Sequence, residues 1–265
     1  MIAYDCPIPM HKRAPTAGNY HDIPIDTGDP RAAETLVDAR TFGIAGENYY
    51  ARTDGRNPPY REAVPGAVGE LWCRESLVDM LIAVNELLAE FGAEVYLWDA
   101  YRPVACQQAL WDFFWERFRH EMPQAGDAEL AEHVRHYVSD PRRFDPADAS
   151  TWPAHATGGA VDLTLRDLRT REFLDMGTHF DDMSAVSHSD YFERLLHGGR
   201  IGLDDARLRN RRLLHWAMHA RGFVNYSYEC WHFDFGDQMY VMTRNYLGHD
   251  PAPAAWYGYL PAPDR

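Results

Sequence analysis

The stretch that decides the fold and the candidate site is Pro153–Leu165, which reads PAHATGGAVDLTL. It contains His155 and, seven residues later, Asp162, with Gly158 and Gly159 between them. Glycines mark a turn, and the apolar and β-branched residues that follow favour a strand. A carboxylate within such an apolar strand is costly to bury unless a partner compensates its charge. The stretch therefore predicts a turn, a buried strand and a charged partner for Asp162.

A second stretch, Tyr228–Asp237 (YECWHFDFGD), supplies Glu229 and His232. The imidazoles of His155 and His232 and the carboxylate of Asp162 form a three-ligand set suited to zinc, which leaves a fourth position for water. Glu229 would take a proton from that water. On a regular strand Glu229 and His232 would face opposite sides, so a twist, a bulge or a strand end must bring them together.

Each of these residues also has a simpler interpretation. A single buried histidine is more often a hydrogen-bonded core residue than a ligand, and the chain contains 13 histidines. Four such residues in two strand-like segments instead favour a mononuclear metallohydrolase. A two-histidine, one-carboxylate iron oxygenase is the alternative. Glu229 argues weakly against it, because that chemistry does not need a base beside the third ligand.

These residues resemble the signature of the D-Ala-D-Ala metallopeptidases, and in particular the VanX-type D-alanyl-D-alanine dipeptidases. The resemblance is carried by the pattern HxxGxAxD from His155 to Asp162 and by ExxH from Glu229 to His232. Three further stretches occur in the family's order and support it: Asp99–Pro103, Asp175–Asp181 and Asn210–Gly222. Together these motifs span roughly residues 40 to 240, and a chance match to five motifs in order is far less common than a match to one.

The resemblance implies a fold and a cofactor. The fold is α+β, with a small, mainly antiparallel sheet packed by helices, as in the D-Ala-D-Ala metallopeptidases and the similar Hedgehog signalling domain. The cofactor is one Zn²⁺ per chain, held by His155, Asp162 and His232. The reaction is hydrolysis of D-Ala-D-Ala or a closely related D-amino-acid dipeptide by metal-activated water. Glu229 is the general base that then passes the proton to the leaving amine.

Two further residues receive roles from the resemblance. Arg102 would stabilise the oxyanion, since a guanidinium offers fixed, charged donors where negative charge develops. Without the family it would be interpreted as a structural arginine paired with one of the 40 acidic residues. Asp181 would receive the free ammonium of the dipeptide; its alternative is a helix-capping aspartate in a loop.

The chain departs from the family's pattern at two positions. Family members commonly have Ser two residues before the first ligand and Trp after the catalytic Glu, whereas this chain has Pro153 and Cys230. Pro153 lacks both the hydroxyl and the backbone donor, which bears on how the substrate is held. The alternatives are therefore a metallo-amidase or dipeptidase for another small peptide or natural product, or a non-catalytic metal-containing binding module. Retention of Glu229 and Arg102 argues against the module, because binding alone requires neither.

Length and composition limit the other classes. A chain of 265 residues can bury a substantial core, and we expect a single domain with an N-terminal wrapping segment (1–40) and an extended C-terminal tail (247–265). The net charge of −14 argues against nucleic acid and anionic membranes as partners. Four scattered cysteines, no signal-peptide pattern and no long apolar run predict a soluble cytoplasmic protein. The family resemblance implies that its partner is a small dipeptide substrate. The sequence is silent on oligomeric state.

Apolar spacing and breakers predict the remaining elements. Tyr20 could reach the site, but simple wrapping over the core is the favoured interpretation. The segment Ser184–Arg200 is expected to be an irregular loop whose His188 and His197 are not ligands. The predicted helices are Cys73–Phe91, Pro103 to about Arg119, Ala128–Tyr137 and Asp204–Arg221. The predicted strands are Glu94–Trp98, Gly158 to about Leu165, Phe223–Tyr226 and Tyr228–Phe235.

Overall fold

The computed structural model describes residues 5–9, 17–135, 137–248 and 252–263. Parts of the predicted N-terminal segment (1–4 and 10–16) and of the predicted tail (249–251 and 264–265) lie outside these ranges. The strands are β1 (Leu36–Asp38), β2 (Ala45–Gly46), β3 (Trp72–Arg74), β4 (Ala93–Asp99), β5 (Ala160–Asp167), β6 (Val224–Asn225) and β7 (His232–Asp234). The α-helices are α1 (Glu75–Ala89), α2 (Val104–Glu121), α3 (Asp127–Arg135), α4 (Tyr191–His197), α5 (Ala206–His219) and α6 (Gln238–Leu247).

The main sheet has five strands in the order β2-β4-β5-β7-β6. β2 pairs with β4 in parallel, and every other pairing in this sheet is antiparallel. β1 and β3 form a separate antiparallel pair. The expected α+β architecture with a small, mainly antiparallel sheet is therefore confirmed.

β5 is the central strand, and its pairing register positions the site. Asp162 on β5 lies opposite Asp99 of β4 on one side and opposite His232 of β7 on the other. Because successive side chains of a strand point to opposite faces, Asp162 faces away from Val161 and Leu163. Val161 and Leu163 are fully buried in the main hydrophobic core. The register thus brings three polar residues onto one row of the sheet.

Two hydrophobic clusters enclose the sheet. The first is formed by α1 and α5 with the apolar residues of β4 and β5, and it includes Leu77, Leu81 and Val84 at helical spacing. The second, which is rich in aromatic residues, joins α2 and α3 to Tyr50 and Tyr60 of the loop after β2. Residues of this second cluster also line the candidate site described below.

One loop prediction is wrong. The segment Ser184–Arg200 contains the helix α4 rather than irregular structure alone. Phe192 and Glu193 are buried, and the Glu193 carboxylate accepts two hydrogen bonds of 2.7 Å from the Arg212 guanidinium of α5. This buried, bidentate pair fixes the short helix through tertiary contacts that local spacing does not reveal.

The predicted strand Tyr228–Phe235 is too long, because regular pairing covers only His232–Asp234. The residues before it form a turn, in which the Glu229 amide donates to the Tyr226 carbonyl at 2.9 Å. The strand predicted at Phe223–Tyr226 is likewise reduced to Val224–Asn225. The predicted helices lie within a few residues of their observed bounds.

The predicted tail begins in the last residue of α6, and its described part beyond the helix buries Ala255, Trp256 and Tyr257 in the main hydrophobic core. Ala255 exchanges backbone hydrogen bonds with Pro24 and Asp26 at 2.9 and 2.7 Å, and the Leu260 amide donates to the Ala156 carbonyl at 3.2 Å. The tail therefore contacts the N-terminal segment and the 3₁₀ helix Ala154–Thr157. Within the described ranges, no helix has both the length and the apolar character that crossing a bilayer requires.

Candidate active site

Three predicted metal ligands converge at the row defined by β5. His155 lies in the 3₁₀ helix Ala154–Thr157, Asp162 on β5, and His232 begins β7. The His232 Nδ1 atom lies 3.0 Å from Asp162 Oδ1 and 3.3 Å from His155 Nε2, and His155 Nε2 lies 3.4 Å from Asp162 Oδ2. One donor atom from each residue falls within 4.8 Å of the others, and all three residues are buried. This group could hold a metal ion.

The outer nitrogen of each imidazole has its own partner. His155 Nδ1 donates to the Ala100 carbonyl at 2.7 Å, since a carbonyl can only accept. His232 Nε2 donates to the Asp234 carboxylate at 2.8 Å, and Asp234 is fully buried. These bonds leave the lone pairs of His155 Nε2 and His232 Nδ1 facing the shared space, as in histidine ligands supported by an outer carboxylate or carbonyl. Two neutral imidazole nitrogens and a carboxylate are a donor set that fits zinc.

The charges of the group favour a cation. Burial alone would raise the pKa of Asp162, but His155 and His232 outweigh it and hold that pKa well below its usual range. Burial likewise lowers the pKa of His232, but Asp234 and Asp162 hold it well above its usual value, so His232 Nδ1 favours a bound proton, which a metal ion at the same place would displace. Positive charge is thus stabilised at the point where the three side chains meet, which is where a divalent ion would sit.

Glu229 lies in the turn that leads into β7. Of the three arrangements considered from the sequence, a strand end is the one observed, because His232 is the first residue of β7. Glu229 Oε2 lies 3.9 Å from His232 Nδ1, and its side chain is 27% exposed toward the cavity. Burial raises the pKa of Glu229 to about 7, although His232 acts in the opposite direction. A carboxylate with a pKa near neutrality can both take up and return a proton.

Arg102 is held rigidly beside the same group. Its Nε donates to Asp99 at 2.8 Å, one terminal nitrogen donates to Gln107 at 3.0 Å, and the other lies 3.2 Å from Asp162 and 3.3 Å from the Tyr50 hydroxyl. Asp99 is fully buried at the end of β4 and also lies 3.6 Å from His155 Nδ1. The sequence analysis gave Asp99 no role of its own. Its position at a strand end, three residues before Arg102, could have indicated that it pairs with that arginine.

Asp181 is buried at another wall, with its backbone in the left-handed region at a φ of 59°. Its carboxylate accepts hydrogen bonds from the Tyr50 hydroxyl at 3.0 and 3.2 Å and from the Tyr60 hydroxyl at 2.8 Å. Burial raises the pKa of Asp181 to about 6, while Arg102 opposes the rise. Neither tyrosine was named as a site residue, although the family resemblance suggested that the region from Phe42 to Tyr60 shapes the substrate cleft.

All six predicted site residues line one cavity of about 90 Å³: Arg102, His155, Asp162, Asp181, Glu229 and His232. Pro153 and Tyr20 also line it. For Tyr20 the less favoured of the two interpretations holds, because its side chain reaches the site. Cys230, by contrast, is buried in the aromatic cluster with Trp231 and Phe180, so its departure from the family's Trp affects packing.

Comparison with known proteins places this geometry in context. A family model described as D-Ala-D-Ala dipeptidase matches residues 70–250. The D-alanyl-D-alanine dipeptidase of Synechocystis sp. is 31% identical over 170 residues, which cover 62% of this chain and 68% of that protein. The D-alanyl-D-alanine dipeptidase of Streptomyces coelicolor is 30% identical over 64% of this chain and 75% of its own length. That of Enterococcus faecium is 29% identical over 78% of this chain and 93% of its own length. The crystal structure of the vancomycin resistance D,D-pentapeptidase VanY in complex with Zn(II) aligns with a TM-score of 0.38 and 13% identity, over 68% of this chain and 82% of that chain.

Proposed function

Because the chain belongs to the D-Ala-D-Ala dipeptidase family, we propose that it is a zinc-dependent dipeptidase that hydrolyses D-Ala-D-Ala or a closely related D-amino-acid dipeptide. The observation that carries the proposal is the buried group of His155, Asp162 and His232 with Glu229 beside it. A buried three-donor set with an adjacent carboxylate is the arrangement that metal-assisted hydrolysis requires.

In this proposal His155 Nε2, His232 Nδ1 and the Asp162 carboxylate hold the zinc ion. When bound, zinc supplies Lewis acidity that polarises a peptide carbonyl and lowers the pKa of a water. The hydrogen bonds from His155 to Ala100 and from His232 to Asp234 fix the orientation of both rings. The protein thus contributes a preorganised donor set, so that little reorientation is needed when the metal binds.

Glu229 moves the proton. It takes a proton from the attacking water and returns it to the amine that leaves, a pair of steps suited to a group whose pKa is about 7. A covalent intermediate is not required. The neighbouring thiol of Cys230 is buried among aromatic side chains, and burial raises its pKa, so it remains protonated and is a poor nucleophile.

Arg102 and Asp181 deal with the charges of the substrate. The Arg102 guanidinium lies 3.2 Å from Asp162 and is fixed by Asp99, so its positive charge is held beside the place where negative charge develops on the carbonyl oxygen. Asp181, backed by the Tyr50 and Tyr60 hydroxyls, offers a carboxylate for the free ammonium of a dipeptide. An ammonium anchored at a set distance from the metal restricts hydrolysis to the first peptide bond.

The direct test is the release of D-alanine from D-Ala-D-Ala by the purified, zinc-loaded protein, measured with ninhydrin. We expect D-Ala-D-Ala to be cleaved and L-Ala-L-Ala to be cleaved poorly. Cleavage of other D,D-dipeptides in preference to D-Ala-D-Ala would keep the mechanism and change the substrate. Zinc bound without hydrolysis of any dipeptide in the panel would contradict the proposal and favour a binding module.

The pKa of Asp181 predicts a pH dependence. Its value of about 6 lies above that of an ordinary aspartate, so the carboxylate takes up a proton as the pH falls through 6 and then no longer attracts an ammonium. We therefore expect kcat/KM to lose about tenfold per pH unit below about pH 6 on account of this group. The measurement is kcat/KM for the dipeptide from about pH 5 to about pH 8.

Asp181→Asn is the matched variant for this profile. It should lower kcat/KM at neutral pH and should also remove the part of the acidic decline that Asp181 causes, because an amide does not titrate. Parallel profiles for the two proteins, differing only in height, would show that Asp181 does not control the pH dependence.

A further inference from the structure

One wall of the cavity carries two hydroxyl groups that the roles above do not use. The Tyr20 hydroxyl lies 3.3 Å from Ser139 Oγ and donates to the Trp152 carbonyl at 3.4 Å. Both distances are at the long end for hydrogen bonds between oxygen atoms. Tyr20 and Ser139 line the cavity beside Pro153, which has no backbone N–H to offer a ligand there. The two hydroxyls are donors that this wall can offer where Pro153 offers none.

The Tyr20 ring is fixed by tertiary packing. It is 1% exposed and packs with Ala154, Ala160, Met239 and Met242. The segment that carries it is anchored further along, where the Gln238 amide donates to the Ile23 carbonyl at 2.6 Å. Tyr20 lies outside residues 70–250, the part of the chain that the family model matches. It is thus an element of this chain's own N-terminal segment that reaches the catalytic cavity.

A dipeptide brings a carboxylate as well as an ammonium, and most donors in the cavity are already engaged. The Tyr50 and Tyr60 hydroxyls donate to Asp181. The Gln107 amide nitrogen donates to the Ser139 carbonyl at 3.0 Å, while Arg102 is bound to acidic partners. The long contacts of the Tyr20 and Ser139 hydroxyls are the ones most easily exchanged for a charged acceptor.

Two basic side chains also line this cavity. Of the described residues that line the cavity, two are arginines, Arg102 and Arg135. Arg135 ends α3 and contacts Asp140, the residue next to Ser139, at 2.9 Å. Its other partner is Glu132, at 3.1 Å, which is 68% exposed. An exposed pair of this kind is weak, so the terminal nitrogen of Arg135 that contacts Glu132 can turn to an anion at the Ser139 wall while the other stays with Asp140.

We propose that the hydroxyls of Tyr20 and Ser139 bind the C-terminal carboxylate of the dipeptide, with Arg135 supplying positive charge at that end. This assignment rests on the proposed dipeptidase function and names a second substrate anchor, distinct from Asp181. The N-terminal segment then takes part in substrate recognition and selects substrates that end in a free carboxylate.

The test compares D-Ala-D-Ala with its C-terminal amide, which has the same peptide bond but no carboxylate. For the zinc-loaded wild-type protein we expect a clear preference for the acid. Tyr20→Phe and Ser139→Ala should each lower kcat/KM for the acid by about ten- to a hundredfold, mainly through KM, and should change that for the amide by less than about threefold. Tyr257→Phe is the matched control, because this buried tyrosine donates to Glu34 at 2.7 Å and does not line the cavity.

The possible outcomes distinguish a failure of the carboxylate-binding inference from a failure of the proposed dipeptidase function. Equal losses on acid and amide in Tyr20→Phe would assign Tyr20 a structural role and overturn the inference. A wild-type protein that cleaves the amide as well as the acid would also overturn it, while leaving the dipeptidase function standing. Failure of the wild-type protein to cleave any dipeptide would overturn the proposed function and this inference with it.

Discussion

Replacing Glu229 by Gln is expected to lower kcat by about 10²- to 10⁴-fold, the contribution typical of a positioned general base. Glutamine keeps the size of the side chain but cannot accept the proton of the attacking water. Glu229 lies outside the three-donor group, 3.9 Å from His232, so the variant should keep its zinc and its fold. The measurements are D-alanine release, zinc content by mass spectrometry and the thermal melting temperature.

Two further variants show whether the loss of activity is specific to the carboxylate of Glu229. Glu90→Gln makes the same chemical change at an exposed position at the end of α1 and should leave kcat unaltered. Glu229→Asp keeps a carboxylate with a shorter reach and should recover part of the activity lost in Glu229→Gln. If Glu229→Gln retained more than about a tenth of the wild-type kcat with zinc bound, Glu229 could not be the base.

Adding zinc to the metal-free protein is expected to raise the melting temperature by about 10 °C. At free zinc about a thousandfold above Kd, binding to the folded state alone contributes about 4 kcal/mol to the free energy of unfolding. The physical reason is that His155, Asp162 and His232 are buried within hydrogen-bonding distance of one another, so their lone pairs and charge are compensated best by a cation. Chelation should reverse the shift and abolish hydrolysis.

A histidine pair serves as variant and control. His232→Ala should lose the zinc-dependent shift, because it removes one of three donors. His197→Ala should keep it, since His197 is an exposed residue at the end of α4 and was not predicted to be a ligand. An equal zinc-dependent shift in His232→Ala would place the metal elsewhere and contradict the assignment.

The sequence predicted those helices and strands that are determined by residues close to one another in the chain. Helix α1 was found because its apolar residues recur at helical spacing and Gly92, with a φ of 67°, follows its end. The strand after Gly159 was found from glycines followed by apolar residues. Helix α4 was missed because what stabilises it, the Glu193–Arg212 pair, joins residues 19 positions apart.

The site also combines residues that the sequence identifies with supporting contacts between residues far apart in the chain. The residue types and the family's motifs named six residues that the structure brings to one cavity. The hydrogen bonds that hold these residues in place could not be predicted from the sequence, since Tyr50 and Asp181 are 131 positions apart and His155 and Ala100 are 55 apart. The sequence could not decide whether Tyr20 reaches the site, because its approach depends on packing against α6, which no local spacing encodes.

The row formed by Asp99, Asp162 and His232 has a consequence for how such an enzyme can change. The chain leaves this row at the end of β4, builds α2 and α3, and returns to it at His155 and β5. A slip of one residue in a strand would turn its side chains to the opposite face, so the row tolerates little variation. Between Gln107 and Pro153 the described residues of this segment supply none of the three donor residues and no partner of Arg102, so its length and composition can vary there without moving the donors. New substrate preferences can therefore arise by remodelling that segment while the hydrolytic centre stays as it is.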